Sequence, residues 1–308
     1  MQGDLDDAVR AAAFAFLAEQ ARIRGEPTPP VLPLSVLQRG FEFGGHRVNL
    51  LFASKGIFKP AILPDIPISI TTAPPDVRKA PPYSDGLGDD GLVSYKYRGV
   101  DRAHPDNVGL RRAMEERKPL VYFLGVAPSK YMAFWPSFIT ADNARDLSFL
   151  VALDLGGAVD FTALAVEENP GRSYAFRIVK QRLHQVGFRE RVLAAYQRTC
   201  SFCRLRHEEL LDAAHIIPDG QPRGDPVVPN GLALCKLHHA AFDSNIVGIR
   251  PDLIIEIRGD VLREIDGPML RHGLQGLHGS SATVPRQTAL RPARDRLEER
   301  YEQFRKAS

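Results

Sequence analysis

Four side chains suited to binding a soft metal ion stand in two short pairs: Cys200 and Cys203 in a C-x2-C, and Cys235 and His238 in a C-x2-H. Two ligands with two residues between them sit on one tight turn and can present both lone pairs to a single ion. Two such turns complete a tetrahedron for Zn2+. These are the only three cysteines in the chain, so none is left over and a disulfide framework is not expected. Four protein ligands close the coordination sphere, which predicts one structural zinc per chain rather than a catalytic one.

Between the two pairs lie residues of a different chemistry. LLDAAHIIP reads as a strand ending in His215, a loop rich in Pro, Gly and Asp follows, and Asn230-Gly231 opens the segment NGLALCKLHHAAFD, which carries His239. The order His215, Asn230, His239, wrapped by C-x2-C and C-x2-H, resembles the HNH nucleases in their zinc-stapled ββα-metal form. That resemblance implies phosphodiester hydrolysis, which needs a base to activate water and a divalent cation to absorb the charge that builds on phosphate. It makes His215 the candidate base, since an imidazole titrates near neutrality. It makes His239 a ligand of a catalytic Mg2+ or Mn2+, and Asn230 either an orienting group for His215 or a second ligand. Many members carry an acidic or imidazole ligand just before the first His. Here that residue is Ala214, so either a variant subtype uses fewer protein ligands, or Asp212 or a phosphate oxygen takes its place.

The elements that must hold these residues are read outward from them. KQRLHQVGFRERVLAAYQRT predicts a basic amphipathic helix running into Cys200, with Gln185, Phe188, Arg189, Leu193 and Tyr196 in the pattern of similar HNH proteins. NIVGIRPDLIIEIRGDVL alternates like a hairpin, RHGLQGLHGSSATVP reads as a loop, and ARDRLEERYEQFRKAS as a charged helix with ion pairs at helical spacing.

The first half is patterned differently. Residues 4–24 carry Val9, Ala12, Ala13, Phe16, Leu17 and Ala21 as the apolar stripe of a helix, which Gly25 and Pro27 end. From there to about residue 155, short apolar runs are broken by Pro and Gly. One helix is expected in NVGLRRAMEERK, capped by Asp106, and KPLVYFLGVAPSKYMAFWPSFITAD predicts a buried hairpin. Many short strands with one helix predict a curled sheet or small barrel.

PYSDGLGDDGLVSYKYRG followed by DNVGLRRAMEERKPLVYFLG resembles the SRA domain, a PUA-like module that extrudes a modified cytosine from duplex DNA. The resemblance implies a base pocket. Flat side chains cover the ring, Tyr83 and Tyr97, and a carboxylate meets its amino edge, Asp85 or its rivals Asp89 and Asp90. Lys55, Lys59, Arg78, Lys79, Lys96, Arg98 and Arg102 are candidate phosphate contacts.

With 308 residues, 44% of them hydrophobic and 25% charged, the chain is long enough for two cores and excludes wholesale disorder. A net charge of +3 and pI near 8.8 permit nucleic-acid binding without demanding it. No run of 18 apolar residues occurs, and acids rather than bases open the chain, so a cytoplasmic location is expected.

The expectation is an α+β protein. An N-terminal helix (1–29), an SRA-like curled-sheet domain (30–166), a linker (167–179) that opens on EENPGRS (167–173) and an HNH domain (180–308, core 196–250) follow in order. Its implied activity is that of the SRA-HNH modification-dependent restriction endonucleases: duplex DNA carrying 5-methylcytosine or 5-hydroxymethylcytosine is read and cut nearby, by a homodimer or by two molecules per double-strand break. Two other readings stay open. The first domain could instead read phosphorothioate, an unmodified sequence or RNA, or the chain could be a non-catalytic zinc-stabilised DNA-binding regulator.

Overall fold

The computed structural model describes residues 2–52, 54–74, 92–153, 184–265 and 267–307, and the chain divides into two compact units, Met1–Leu183 and His184–Ser308. The expected linker, residues 167–179, and the pocket candidates Tyr83, Asp85, Asp89 and Asp90 lie outside the described residues.

In the first unit, α1 (Gln2–Arg24) buries Val9, Ala13, Leu17 and Ala21, spaced four apart, and ends at Gly25 with φ +61°. Its Arg10 is 1% exposed, ion-paired with Asp6 at 2.5 Å and donating to the carbonyls of Pro67 (3.0 Å) and Pro119 (2.7 Å). Next come β1 (Val31–Pro33), α2 (Leu34–Arg39), and the hairpin of β2 (Phe41–Phe43) and β3 (His46–Val48). They are followed by β4 (Ile57–Phe58), β5 (Ser69–Thr72), β6 (Leu92–Lys96), α3 (Pro105–Glu115), β7 (Leu120–Ala127), β8 (Lys130–Asn143) and β9 (Ser148–Leu153).

Among the described residues, seven strands form one sheet in the order β4-β5-β7-β8-β9-β6, with β1 added to β8. Only the β5–β7 pair is parallel. Register shifts along β7 and β8, including one between Ile139 and Ala141, let the long strands bend into a curled half-barrel. The expected hairpin is β7–β8, and every residue of β7 is buried. The cap of α3 differs from expectation. Pro105 occupies the first helical turn, so His104 is the N-cap and accepts from the Asp106 N–H, while Asp106 lies inside the helix, 2.5 Å from Arg98.

In the second unit, the described part of α4 (184–195) is followed by β10 (Leu211–His215), β11 (Gly231–Cys235) and α5 (Lys236–Asp243). Then come β12 (Val247–Ile249), β13 (Ile255–Ile257), α6 (Gly259–Arg263), α7 (Pro268–Gly273) and α8 (Arg294–Lys306). β10 and β11 pair antiparallel from Leu211↔Cys235 to His215↔Gly231, and β12–β13 is the second expected hairpin.

One continuous core runs through Phe188, Val192, Cys200, Leu211, Leu232, Cys235, Phe242, Val247 and Leu297. The RHGLQGLHG stretch, expected as a loop, includes the end of α7 and a 3-10 turn at Gln275–Leu277. The C-terminal helix has the expected ion pair, Arg294–Glu298 at 3.0 Å, but it also docks, burying Leu297, Arg300 and Phe304. Among the described residues no helix is long and apolar enough to cross a membrane.

Candidate active site

The Cys3His cluster, which could hold a metal ion, is built from two turns and one strand end. Cys200 accepts at its carbonyl from the Arg204 N–H (3.0 Å), closing the C-x2-C turn, and the Ser201 N–H donates to Ala233 O (2.7 Å), docking the turn on β11. Cys235 ends that strand and serves as N-cap of α5, which places His238 in the first helical turn beside it. The four ligand atoms lie within 4.8 Å of one another. His238 Nδ1 is 3.5 Å from Cys200 Sγ and 3.2 Å from Cys235 Sγ, and Cys203 Sγ is 4.0 Å from Cys235 Sγ.

Around a tetrahedral zinc, sulfur pairs stand about 3.8 Å apart and sulfur–nitrogen pairs about 3.5 Å, so the spacing fits. A disulfide needs its sulfurs at roughly 2.05 Å, and all three thiols are free. His238 supplies an independent check on the donor set. Its Nε2 lies 2.7 Å from the carbonyl of Gly273, which can only accept. Nε2 therefore carries a proton, which leaves Nδ1, the nitrogen beside the sulfurs, as the one that could ligate a metal, as outer partners of metal-bound imidazoles arrange.

The other end of the β10–β11 hairpin opens on a cleft of about 330 Å³ lined by His215, Pro218, Asp219, His239, Asp243, Asn245, Arg300 and Gln303. His215 ends β10 opposite Gly231, and a Cβ at 231 would come within 2.4 Å of Val192 and 2.9 Å of Phe188. Glycine there lets α4 lie against the hairpin, so the Phe188 ring stacks on the His215 imidazole with centroids 3.9 Å apart and planes 16° from parallel. His215 Nε2 is buried without a hydrogen-bond partner. Burial lowers the His215 pKa, and nearby His239 adds to this against the opposing pull of Asp219 and Asp243.

His239 is driven the other way. Its Nδ1 is 3.5 Å from Asp212 Oδ2 and its Nε2 is 3.3 Å from Asp243 Oδ2, and the bond to Asp212 raises its pKa against burial. Burial works against the Asp212 charge, yet the bonds from His239 and the Ala213 N–H hold its carboxyl below the usual range. Two imidazoles of one cleft are thus pushed toward opposite charge states. Ala214 is wholly buried in the core.

Asn230 stands behind the cleft, 0% exposed. Its amide donates to the carbonyls of Ile217 (3.0 Å) and Asp225 (3.1 Å), and its carbonyl oxygen accepts from the Ile217 N–H (2.9 Å). The side chain therefore staples both ends of the loop that follows His215. Asn230→Ala removes two buried bonds and one part-buried bond, and orphans a backbone N–H. The expected loss is about 2–4 kcal/mol of unfolding free energy, measured by urea titration, together with reduced activity. A loss below ~1 kcal/mol would mean that the loop holds its shape without the staple.

Sequence reasoning did not single out Asp243, Asp219, Arg300 or Gln303. Asp243 had a signal, the i, i+4 spacing from His239 on one helix face. Arg300 and Gln303 had none, because α8 reaches the cleft from far along the chain.

In the first unit, Tyr97 is buried with its ring 4.7 Å from that of Phe149, and its hydroxyl donates to Asp142. Several of the expected phosphate contacts have protein partners. Lys59 and Arg98 meet Asp106 at 3.6 and 2.5 Å, and Arg102 meets Asp142 at 3.7 Å.

The hairpin and helix thus carry a Cys3His cluster at one end and a cleft with two imidazoles and carboxylates at the other. The match to known proteins falls on the same stretch. Residues 200–250 match the HNH endonuclease family model, so the chain carries an HNH endonuclease domain and is a nuclease.

Among solved structures, the chain is similar to the modification-dependent TagI restriction endonuclease, at 18% identity over 78% of this chain and 82% of that one, with a TM-score of 0.29. It is also similar to the type IV phosphorothioation-dependent restriction endonuclease ScoMcrA, at 15% identity over 60% of this chain and 54% of that one, with a TM-score of 0.24. No curated protein matches the chain.

Proposed function

We propose that the second unit hydrolyses DNA phosphodiesters with His215 as general base. The observation that carries this reading is the His215 imidazole, a half-buried ring stacked on Phe188 in a cleft shared with His239 and Asp243. With burial favouring its neutral form, the ring is ready to take a proton from a water in the cleft. Stacking on Phe188 and the Asn230 staple restrict how it can turn.

His239 Nε2 and the Asp243 carboxylate suit a hard divalent cation such as Mg2+ or Mn2+, with Asp212 orienting the imidazole from Nδ1. Among the described residues, the knot is the only group of three or more His, Cys, Asp or Glu ligand atoms drawn together. The cleft thus offers two protein donors and leaves the remaining coordination to water and phosphate, as magnesium sites commonly do. When bound, the ion would stabilise charge on the phosphate and on the leaving oxygen. With two donors supplied in this way, nothing is required at Ala214.

The same proposal assigns the first unit to reading a modified cytosine in duplex DNA. Support comes from the SRA-like run ending in Tyr95, Tyr97 and Gly99, from the helix and strand that follow it, and from the curled sheet. A double-strand break needs two such nuclease sites, hence a homodimer or two molecules per cut.

The test is digestion of matched duplexes that are unmodified, 5-methylated, 5-hydroxymethylated or phosphorothioated, with and without Mg2+ or Mn2+. Cutting is expected only with a divalent metal and only of the 5-methylated or 5-hydroxymethylated DNA. Equal cutting of modified and unmodified duplexes would remove the reader, and cutting of phosphorothioated DNA alone would replace it with a different one.

A further inference from the structure

We propose that Arg300 is the phosphate-anchoring residue of the nuclease cleft, contributed by a helix that lies outside the matched family segment. The proposal rests on the nuclease reading above and deepens it.

α8 is fixed against the nuclease core by Leu297 and Phe304, both buried, and a Cβ at Gly248 on β12 would come within 2.5 Å of the Phe304 ring. Arg223 pairs with Asp295 and Glu299, and Arg296 reaches Asp225 at 3.3 Å, tying the same helix to the loop after His215. The helix so held carries Arg300 and Gln303 into the wall of the cleft, with His215, His239 and Asp243.

Arg300 is 6% exposed. Its guanidinium lies over the Phe242 ring, 4.4 Å from the centroid, and donates to the Phe242 carbonyl and to Asn245 Oδ1. Both acceptors are neutral, and no carboxylate of the described residues forms an ion pair with it. Arg10, the other buried arginine among the described residues, shows what this chain does with a guanidinium that has only a structural role, since it is paired with Asp6 at 2.5 Å.

A buried cation without an anion is costly unless something completes it. Burial pulls the Arg300 pKa down, and the carboxylate that opposes this at longer range, Asp243, is the one assigned above to the metal. Two carbonyl bonds leave further N–H donors of the planar fork, which matches the oxygen pairs of a phosphate. The missing anion is therefore the DNA phosphate beside the scissile bond. Fixed donors aimed at a phosphate in a partly dehydrated cleft stabilise the charge that develops there.

The experiment compares wild type with Arg300→Met, which keeps a long apolar side chain over Phe242, and with Arg300→Lys, which keeps charge but not the fork. Zinc content and thermal midpoint establish folding. Duplex binding without added divalent metal, measured across a salt series, gives the slope of log K against log[salt]. Removing one phosphate contact should make that slope shallower by about 0.9 in Arg300→Met, with Arg300→Lys close to wild type. In cleavage assays kcat should fall about 10²–10³-fold in Arg300→Met and at least about tenfold in Arg300→Lys.

A folded Arg300→Met with an unchanged slope overturns the proposal and leaves Arg300 as a tie between helices. If Arg300→Met fails to fold, Arg300→Lys decides, and a kcat within about threefold of wild type overturns the proposal because the fork would then be dispensable. If wild type itself does not cleave, the nuclease reading fails, and the salt slope still tests Arg300.

Discussion

His215→Ala is expected to lower kcat/KM for duplex cleavage by about 10³-fold, within the range that a general base contributes, while zinc content and overall folding persist. The separation of the two effects follows from the surroundings of the ring. No hydrogen bond or ion pair is made by either ring nitrogen, so truncation orphans no polar group, and the loss is mainly the stacking contact with Phe188, roughly 1 kcal/mol. A variant that kept more than about a tenth of wild-type activity would remove His215 from the role of base.

The pH profile supplies an independent check. The base works deprotonated, and burial places its pKa below the ordinary value of 6.5. With saturating metal, activity should therefore rise through a midpoint below 6.5 and be fully developed at neutrality. Saturation matters because His239 is pushed toward its protonated form, and ligand protonation competes with metal binding. An acid limb centred at or above 6.5 would show that the titrating group is not the desolvated imidazole.

The metal knot was legible because its geometry is encoded locally. Each C-x2 pair closes its own turn, and the antiparallel register Leu211↔Cys235 supplies the one long-range step. His215 and His239 were legible for the same reason, as the end of a strand and the face of a short helix. Asn230 was legible as a member of the site but not in its role, because the choice between ligand and staple depends on which backbone groups the loop turns inward.

Arg300 was hidden by its own sequence context. Leu297, Arg300 and Phe304 form an i, i+3, i+7 stripe, but an arginine in its middle and charges all around make the helix read as solvated. In the first unit, the strand after the acidic run was legible as a strand. The alternation of β6 puts Val93 and Tyr95 on one buried side, and Tyr97 continues it. Which aromatic faces a ligand depends on the opposing wall, and the remaining pocket candidates are outside the described residues.

Removing zinc is expected to have the largest effect of all, loss of the folded second unit. Cys200 and Cys235 are members of the same buried core as Phe188, Leu211, Phe242 and Leu297, so the knot is continuous with the packing that positions the cleft. A structural zinc contributes an apparent free energy on the order of 10–16 kcal/mol, comparable to or above the whole stability of a typical domain, about 5–15 kcal/mol. Cys235→Ser should therefore reduce zinc from about one per chain to a trace and abolish the cooperative thermal transition of residues 184–308, read by hydrogen exchange. Chelation of wild type should do the same, with activity restored by Zn2+ plus Mg2+ and by neither alone. Recovery with Mg2+ alone would assign the chelated ion to the cleft instead of the knot. An undiminished thermal transition in the zinc-free protein would mean that three thiols and an imidazole close by apolar packing, and the cleft would then owe its shape to the hairpin and α8 rather than to a metal.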